Sequence, residues 1–215
     1  MDFLEFVKKN KIFAVIRTNT PEKASTAIKA MIEGGVRLIE VTMTTPEACR
    51  IIAENVGREG VLVGAGSVTT VEEAEAAIKA GARFLISPVY QPQVVKLAKE
   101  QGLGVACGAL TPTEIHQAWQ QGADLVKIFP IDAMGGVEYL KTIRGPLPKI
   151  RVLVSGNIDK KNFITYLDAG AYAACFGSSL IEPEALEKNH VDKIAQAARS
   201  LVKSLEAYAW LSGGK

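Results

Sequence analysis

The sequence has little of what marks several large function classes. Its three cysteines, Cys49, Cys107 and Cys175, are odd in number and far apart, with no Cys-x-x-Cys spacing, and its two histidines are His116 and His190. Metal sites and disulfide frameworks need ligands at characteristic close spacings. No metal and no cofactor is therefore expected, and the cysteines read as reduced packing residues. No stretch approaches the roughly 20 uninterrupted apolar residues of a membrane span. The opening segment, Met1 to Lys9, mixes charges into its apolar positions, where a signal peptide would carry a long apolar core. The expectation is a cytoplasmic protein with no membrane partner. Lys and Arg total 25 against 23 Asp and Glu, scattered along the chain. Without a basic stripe to follow a phosphate backbone, nucleic acid is not an expected partner.

What is present is a phrase that repeats. A short apolar run ends at small or polar residues, a capped helix follows, and a glycine announces the next run. The runs are Ile12–Ile16, Leu38–Val41, Val61–Val63, Phe84–Ile86, Val105–Cys107, Leu125–Phe129, Val152–Val154 and Ala173–Phe176. Helix starts are expected at Thr20-Pro21, Thr45-Pro46 and Thr111-Pro112, where a capping hydroxyl precedes a proline, and at Thr70, where Glu73 completes a capping box. Gly35, Gly81, Gly102, Gly122 and Gly170 stand where left-handed helix ends need a residue without Cβ. Strands joined through helices pair in parallel, and near-continuous apolar strands are covered on both faces.

Eight such units in 215 residues fit a (β/α)₈ TIM barrel, an α/β fold, as one domain over residues 1–215. Segment 2–9 is expected to be an extra N-terminal helix and 188–206 the last helix, with Gly213-Gly214-Lys215 as a tail. The rival is an open doubly wound sheet, which usually carries a glycine-rich dinucleotide fingerprint after its first strand. Here the first run leads into Arg17-Thr18-Asn19-Thr20-Pro21 instead.

Two strands break the apolar rule. Glu40 sits in Leu38-Ile39-Glu40-Val41-Thr42 and Lys127 in Leu125-Val126-Lys127-Ile128-Phe129. Alternate residues of a barrel strand face the packed interior, and the C-terminal strand ends build the active site. A lysine there is expected to lose affinity for its proton by desolvation and to become a nucleophile for a ketone carbon. A glutamate beside it can move the protons. The plainer reading is a buried ion pair, or side chains that point outward; ion pairs in cores are weak contributors to stability, which favours chemistry.

At these residues the chain resembles the 2-dehydro-3-deoxy-phosphogluconate/4-hydroxy-2-oxoglutarate aldolase family, from about Lys11 to Pro183. The matching phrases are Gly34-Gly35-Val36-Arg37-Leu38-Ile39-Glu40-Val41-Thr42, Val63-Gly64-Ala65-Gly66-Ser67-Val68, Ile86-Ser87-Pro88 and Val126-Lys127-Ile128-Phe129-Pro130, followed by Gly135-Gly136. The resemblance implies a homotrimer that cleaves a 4-hydroxy-2-oxo acid into pyruvate and an aldehyde without metal. It assigns Lys127 as the imine lysine and Glu40 as the proton-transfer group. Candidate substrate-binding positions in or beside these phrases are Thr42, Thr44, Gly66, Ser67, Pro88 and Phe129. Ser67 replaces the family's usual threonine and keeps a hydroxyl for the pyruvate carboxylate.

Two departures bear on the substrate. Thr44 stands where some members carry an arginine, and Arg17 at the end of the first strand is the substitute cation. Val154-Ser155-Gly156-Asn157 replaces the Pro-Thr-Gly-Gly of members that use phosphorylated sugar acids; Ser155, Gly156, Asn157, Gly177 and Ser178 are the remaining candidates for a distal anion. A shorter dicarboxylic 2-oxo acid is therefore expected to be the better substrate. The alternatives are oxaloacetate decarboxylation through the same lysine imine, a phosphate-sugar isomerase or epimerase, and a barrel with only a structural role.

Overall fold

The computed structural model describes residues 2–211. In chain order the elements are α1 (Phe3–Asn10), β1 (Ile12–Ile16), α2 (Pro21–Glu33), β2 (Leu38–Thr42), α3 (Ala48–Asn55), β3 (Leu62–Gly66), α4 (Val71–Lys79), β4 (Phe84–Ile86), α5 (Pro92–Glu100), β5 (Gly104–Ala109) and α6 (Pro112–Gln120). They continue with β6 (Leu125–Ile128), a 3₁₀ turn (Asp132–Met134), α7 (Val137–Arg144), β7 (Val152–Val154), α8 (Phe163–Asp168), β8 (Ala173–Phe176), α9 (Pro183–Glu187) and α10 (Val191–Leu211). The eight strands are parallel throughout and close in order, β8 returning to β1 through Phe13 beside Cys175. This is the expected (β/α)₈ barrel, with α1 as its extra helix.

Strand alternation divides the apolar residues into two cores. One face of the barrel wall supplies Ile12, Ile39, Val63, Leu85, Val105, Val126 and Val152 to the layer beneath the helices. The other supplies Phe13, Leu38, Phe84, Ile86, Ala106, Leu125, Leu153, Ala173 and Cys175 to the barrel interior. Helix α1 plugs the interior from the N-terminal end with Val7 and the Phe3 ring, which lies 5.7 Å from Phe84. Two glycines make that plug possible. A Cβ on Gly104 would stand 2.2 Å from the Phe3 ring, and one on Gly64 would stand 2.5 Å from the Phe84 ring.

The caps at Thr20, Thr70 and Thr111 form as expected, and Thr111 closes a full capping box with Glu114. All five helix-ending glycines have positive φ. Several boundaries differ, three of them with a clear physical reason. The third strand runs on through Gly64 and Gly66, because the interior admits no side chain there, so a strand rule based on apolar runs stops short. The helix expected from Thr45-Pro46 begins at Ala48, after Glu47 in a left-handed conformation; the Thr45 hydroxyl is instead spent on the Ile16 carbonyl at 3.2 Å. The last helix spans 191–211, set off from α9 by Asn189 at φ 53°. The tail at Gly213-Gly214-Lys215 lies outside the described residues. Among the described residues, no helix is long and apolar enough to cross a membrane.

Gly104→Ala tests the plug. Overpacking against Phe3 is expected to lower stability by about 1–3 kcal/mol in urea unfolding. The folded fraction should keep its full catalytic rate, because the site lies at the other end of the barrel.

Candidate active site

Beyond the apolar layers, towards the C-terminal strand ends, the interior turns polar. Glu40 on β2, Lys127 on β6 and Cys175 on β8 all point inward, and their residues are 0%, 5% and 4% exposed. Lys127 Nζ donates to Glu40 Oε1 at 3.5 Å, and the Cys175 thiol donates to Oε2 at 3.6 Å. Glycine again makes the space. A Cβ on Gly66 would come within 2.0 Å of Oε1, and one on Gly108, beside Lys127 in register, would strike the Pro88 backbone, which crosses the mouth. The Lys127 ammonium also lies 5.7 Å from the centre of the Phe129 ring.

Above Lys127 opens a cavity of about 220 Å³. Its wall includes Arg17, Ser67, Pro88, Lys127, Phe129, Ser155, Gly156, Asn157, Gly177 and Ser178, which brings together most of the residues singled out in the sequence. Arg17 donates to Ser67 Oγ at 3.0 Å, setting a cation and a hydroxyl side by side at the rim. Gly156 and Asn157 have φ of 109° and 50°, and the Gly156 Cα faces Asp132 with no room for a side chain.

Four expected residues stand elsewhere. Glu40 is fully buried beside Lys127, and Gly66 serves the carboxylate as space. The Thr42 hydroxyl is shared with Thr44 at 3.0 Å and Thr45 at 3.1 Å, so it braces the β2 end, and Thr44 is exposed outside the cavity wall. Conversely, Val15, Cys175 and Ile158 line the cavity without having been singled out. Cys175 carried a signal: it lies two residues after Ala173, hence on the same face of β8. Larger grooves exist, one of about 580 Å³ along α1 and α10 at the opposite end. Size does not decide here; the 220 Å³ cavity is the one above the buried amine.

The expected fall in the Lys127 pKa is corrected by its partner. Burial is the largest single influence and pushes the pKa down. The Glu40 carboxylate, as a charge and as a hydrogen-bond acceptor, outweighs it together with Cys175, and the amine is held above its ordinary value despite the opposing charge of Arg17. The resting pair is thus an ion pair. A neutral amine arises when Lys127 hands its proton across to Glu40, a transfer that leaves the buried pair with no net charge. The pKa of the Cys175 thiol is also pushed up, by burial first, and the thiol stays protonated. Among the described residues, no three His, Cys, Asp or Glu side chains cluster so as to hold a metal ion.

Glu40→Gln removes the main influence that raises the Lys127 pKa and leaves burial and Arg17 opposed only by Cys175. The Lys127 pKa is then expected to drop below the ordinary lysine value, read by NMR titration of the ¹³C-methylated amine. An unchanged titration would contradict this coupling.

The family model described as KDPG and KHG aldolase matches residues 4–197. The 2-dehydro-3-deoxy-phosphogluconate aldolase of Dickeya dadantii (strain 3937) is 36% identical over 199 residues, covering 91% of this chain and 92% of its own length. The 2-dehydro-3-deoxy-6-phosphogalactonate aldolase of Escherichia coli (strain K12) is 30% identical over 204 residues, 94% of this chain and 97% of its own. Among solved structures, KDPG aldolase from Legionella pneumophila, with pyruvate captured at low pH as a covalent carbinolamine intermediate, superposes with a TM-score of 0.85 at 26% identity, covering 94% of this chain and 98% of that one. With a family match spanning most of its length and relatives that are themselves aldolases, this chain belongs to the KDPG and KHG aldolase family of lyases.

Proposed function

We propose that the chain cleaves a 4-hydroxy-2-oxo acid bearing a distal anion into pyruvate and an aldehyde, through an imine on Lys127. The observation that carries this reading is the amine buried against Glu40, 3.5 Å away, at the floor of a cavity rimmed by Arg17 and Ser67. Arg17 and Ser67 receive the C1 carboxylate. Lys127 passes a proton to Glu40 and its amine attacks C2. Glu40 returns that proton to the departing C2 hydroxyl as water, leaving a protonated imine. The Glu40 carboxylate then takes the C4 hydroxyl proton; the C3–C4 bond breaks, its electrons flow into the imine, and the aldehyde leaves. The enamine is reprotonated at C3, and hydrolysis releases pyruvate. The positive imine nitrogen serves as the electron sink.

Within this class we favour the shorter dicarboxylic 4-hydroxy-2-oxoglutarate. Its support is the distal wall: the Ser179 hydroxyl is already donated to the Ile158 carbonyl at 2.5 Å, and Asn157 stands where phosphate-using members have glycine. A phosphorylated six-carbon acid is the second reading, supported by the names of the two relatives above. Decarboxylation of oxaloacetate and sugar-phosphate isomerisation draw no support from the matched family. The homotrimer belongs to the same proposal, checked by light scattering for three times the chain mass.

Turnover of 4-hydroxy-2-oxoglutarate and of the phosphorylated gluconate and galactonate acids tests the substrate order. The expected result is the highest kcat/KM for the dicarboxylic acid, and a tenfold or greater preference for a phosphorylated acid overturns it. Lys127→Met should lower kcat by at least about 10⁴-fold on every one of them; retained turnover would remove the imine altogether.

A further inference from the structure

We propose that Cys175 is a positioning residue: its thiol anchors Oε2 of Glu40, so that Oε1 alone faces Lys127 and carries the proton traffic. This rests on the imine reading above.

The three cysteines are placed differently. Cys49 is half-buried on α3, and Cys107 is turned into the layer beneath the helices. Cys175 alone faces the barrel interior, where it touches the cavity wall and the buried carboxylate at once. A carboxylate has two equivalent oxygens, and rotation about its last bond exchanges them. In this barrel they are made inequivalent from opposite sides: Oε1 has the β6 amine at 3.5 Å, and Oε2 has the β8 thiol at 3.6 Å. The Cβ-less Gly66 leaves the carboxylate room beside Oε1, so it is the donors that define its rotation.

A thiol suits the position because burial keeps it protonated, and it therefore remains a donor towards Glu40. It is also a weak donor, which orients the carboxylate without a strong bond to it. A hydroxyl in the same place would donate more strongly. The titratable groups facing Glu40 are Lys127 from β6 and Cys175 from β8, with Arg17, at the β1 end, acting on Lys127 by charge.

Three substitutions separate orientation from packing. Cys175→Val fills the volume without a donor, Cys175→Ala removes both, and Cys175→Ser keeps a donor on a shorter reach. Valine and alanine are expected to lower kcat about tenfold with KM changed less than about twofold, and to move the acid limb of the kcat profile to higher pH. Serine should recover most of kcat and bring the limb back to or below the wild-type pH. An infrared difference spectrum, wild type minus Cys175→Ala, should contain an S–H stretch lowered in frequency by hydrogen bonding, and this check needs no turnover. A valine variant with wild-type kcat and limb, a serine variant that behaves like alanine, or a free-thiol S–H frequency would each overturn the proposal. Glu40→Gln keeps the tests apart: if that variant turns over normally, the proton-transfer reading fails; if it is inactive while valine at 175 is harmless, only the role of Cys175 fails.

Discussion

The structure depends on one buried charge pair. Lys127 and Glu40 face each other across 3.5 Å inside a barrel whose interior is otherwise packed with apolar residues and Cys175. Either charge alone in that interior would cost several kcal/mol, and removing one partner from such a pair typically costs about 3–5 kcal/mol. The neighbouring architecture follows from keeping both. Gly66 and Gly108 give up side chains to make room, Cys175 supplies the second donor to the carboxylate, and the thickest apolar layer, around Phe13 and Phe84, is stacked towards the end that α1 closes. The pair is a poor device for stability and a good one for proton exchange, since moving the proton from nitrogen to oxygen changes no net charge.

Much of this was legible in the sequence because its signals are local. Apolar runs broken by Thr-Pro caps and left-handed glycines specify strand, helix and turn within about 25 residues of chain each, and the parallel closure follows from their alternation. A charge flanked by apolar residues on a strand marked Glu40 and Lys127 directly. What stayed hidden depends on partners far apart in the chain. The sign of the Lys127 shift is fixed by Glu40, 87 residues away, so burial considered by itself gave the wrong direction. Cys175 read as packing because nothing near it in sequence indicates a carboxylate across the barrel. Thr45 read as a cap because its tie to the Ile16 carbonyl spans two strands.

In the proposed mode of binding, the two ends of the substrate meet different kinds of wall. Towards C1 to C3 the contacts are side chains at the strand ends: Lys127, with Arg17 and Ser67 bonded to each other. Towards the distal end they are loop backbone after β7 and β8, where Gly156, Asn157, Gly177 and Ser178 can vary without disturbing the barrel. Rigid strands hold the proposed chemistry and replaceable loops the choice of acid, which is the usual division of labour in this fold.

A second lysine sharpens what must be measured. Lys11, in the groove at the opposite end, is lowered in pKa by burial and by Lys8, so by ionisation alone it is the more readily deprotonated amine. Lys127 differs in having the Glu40 carboxylate 3.5 Å away and a cavity of about 220 Å³ above it. Incubation with pyruvate, reduction with borohydride and tandem mass spectrometry of the digest separates the two. The account predicts one reduced pyruvate adduct per chain, on Lys127; an adduct on Lys11 or another lysine in its place, or none at all, would contradict it.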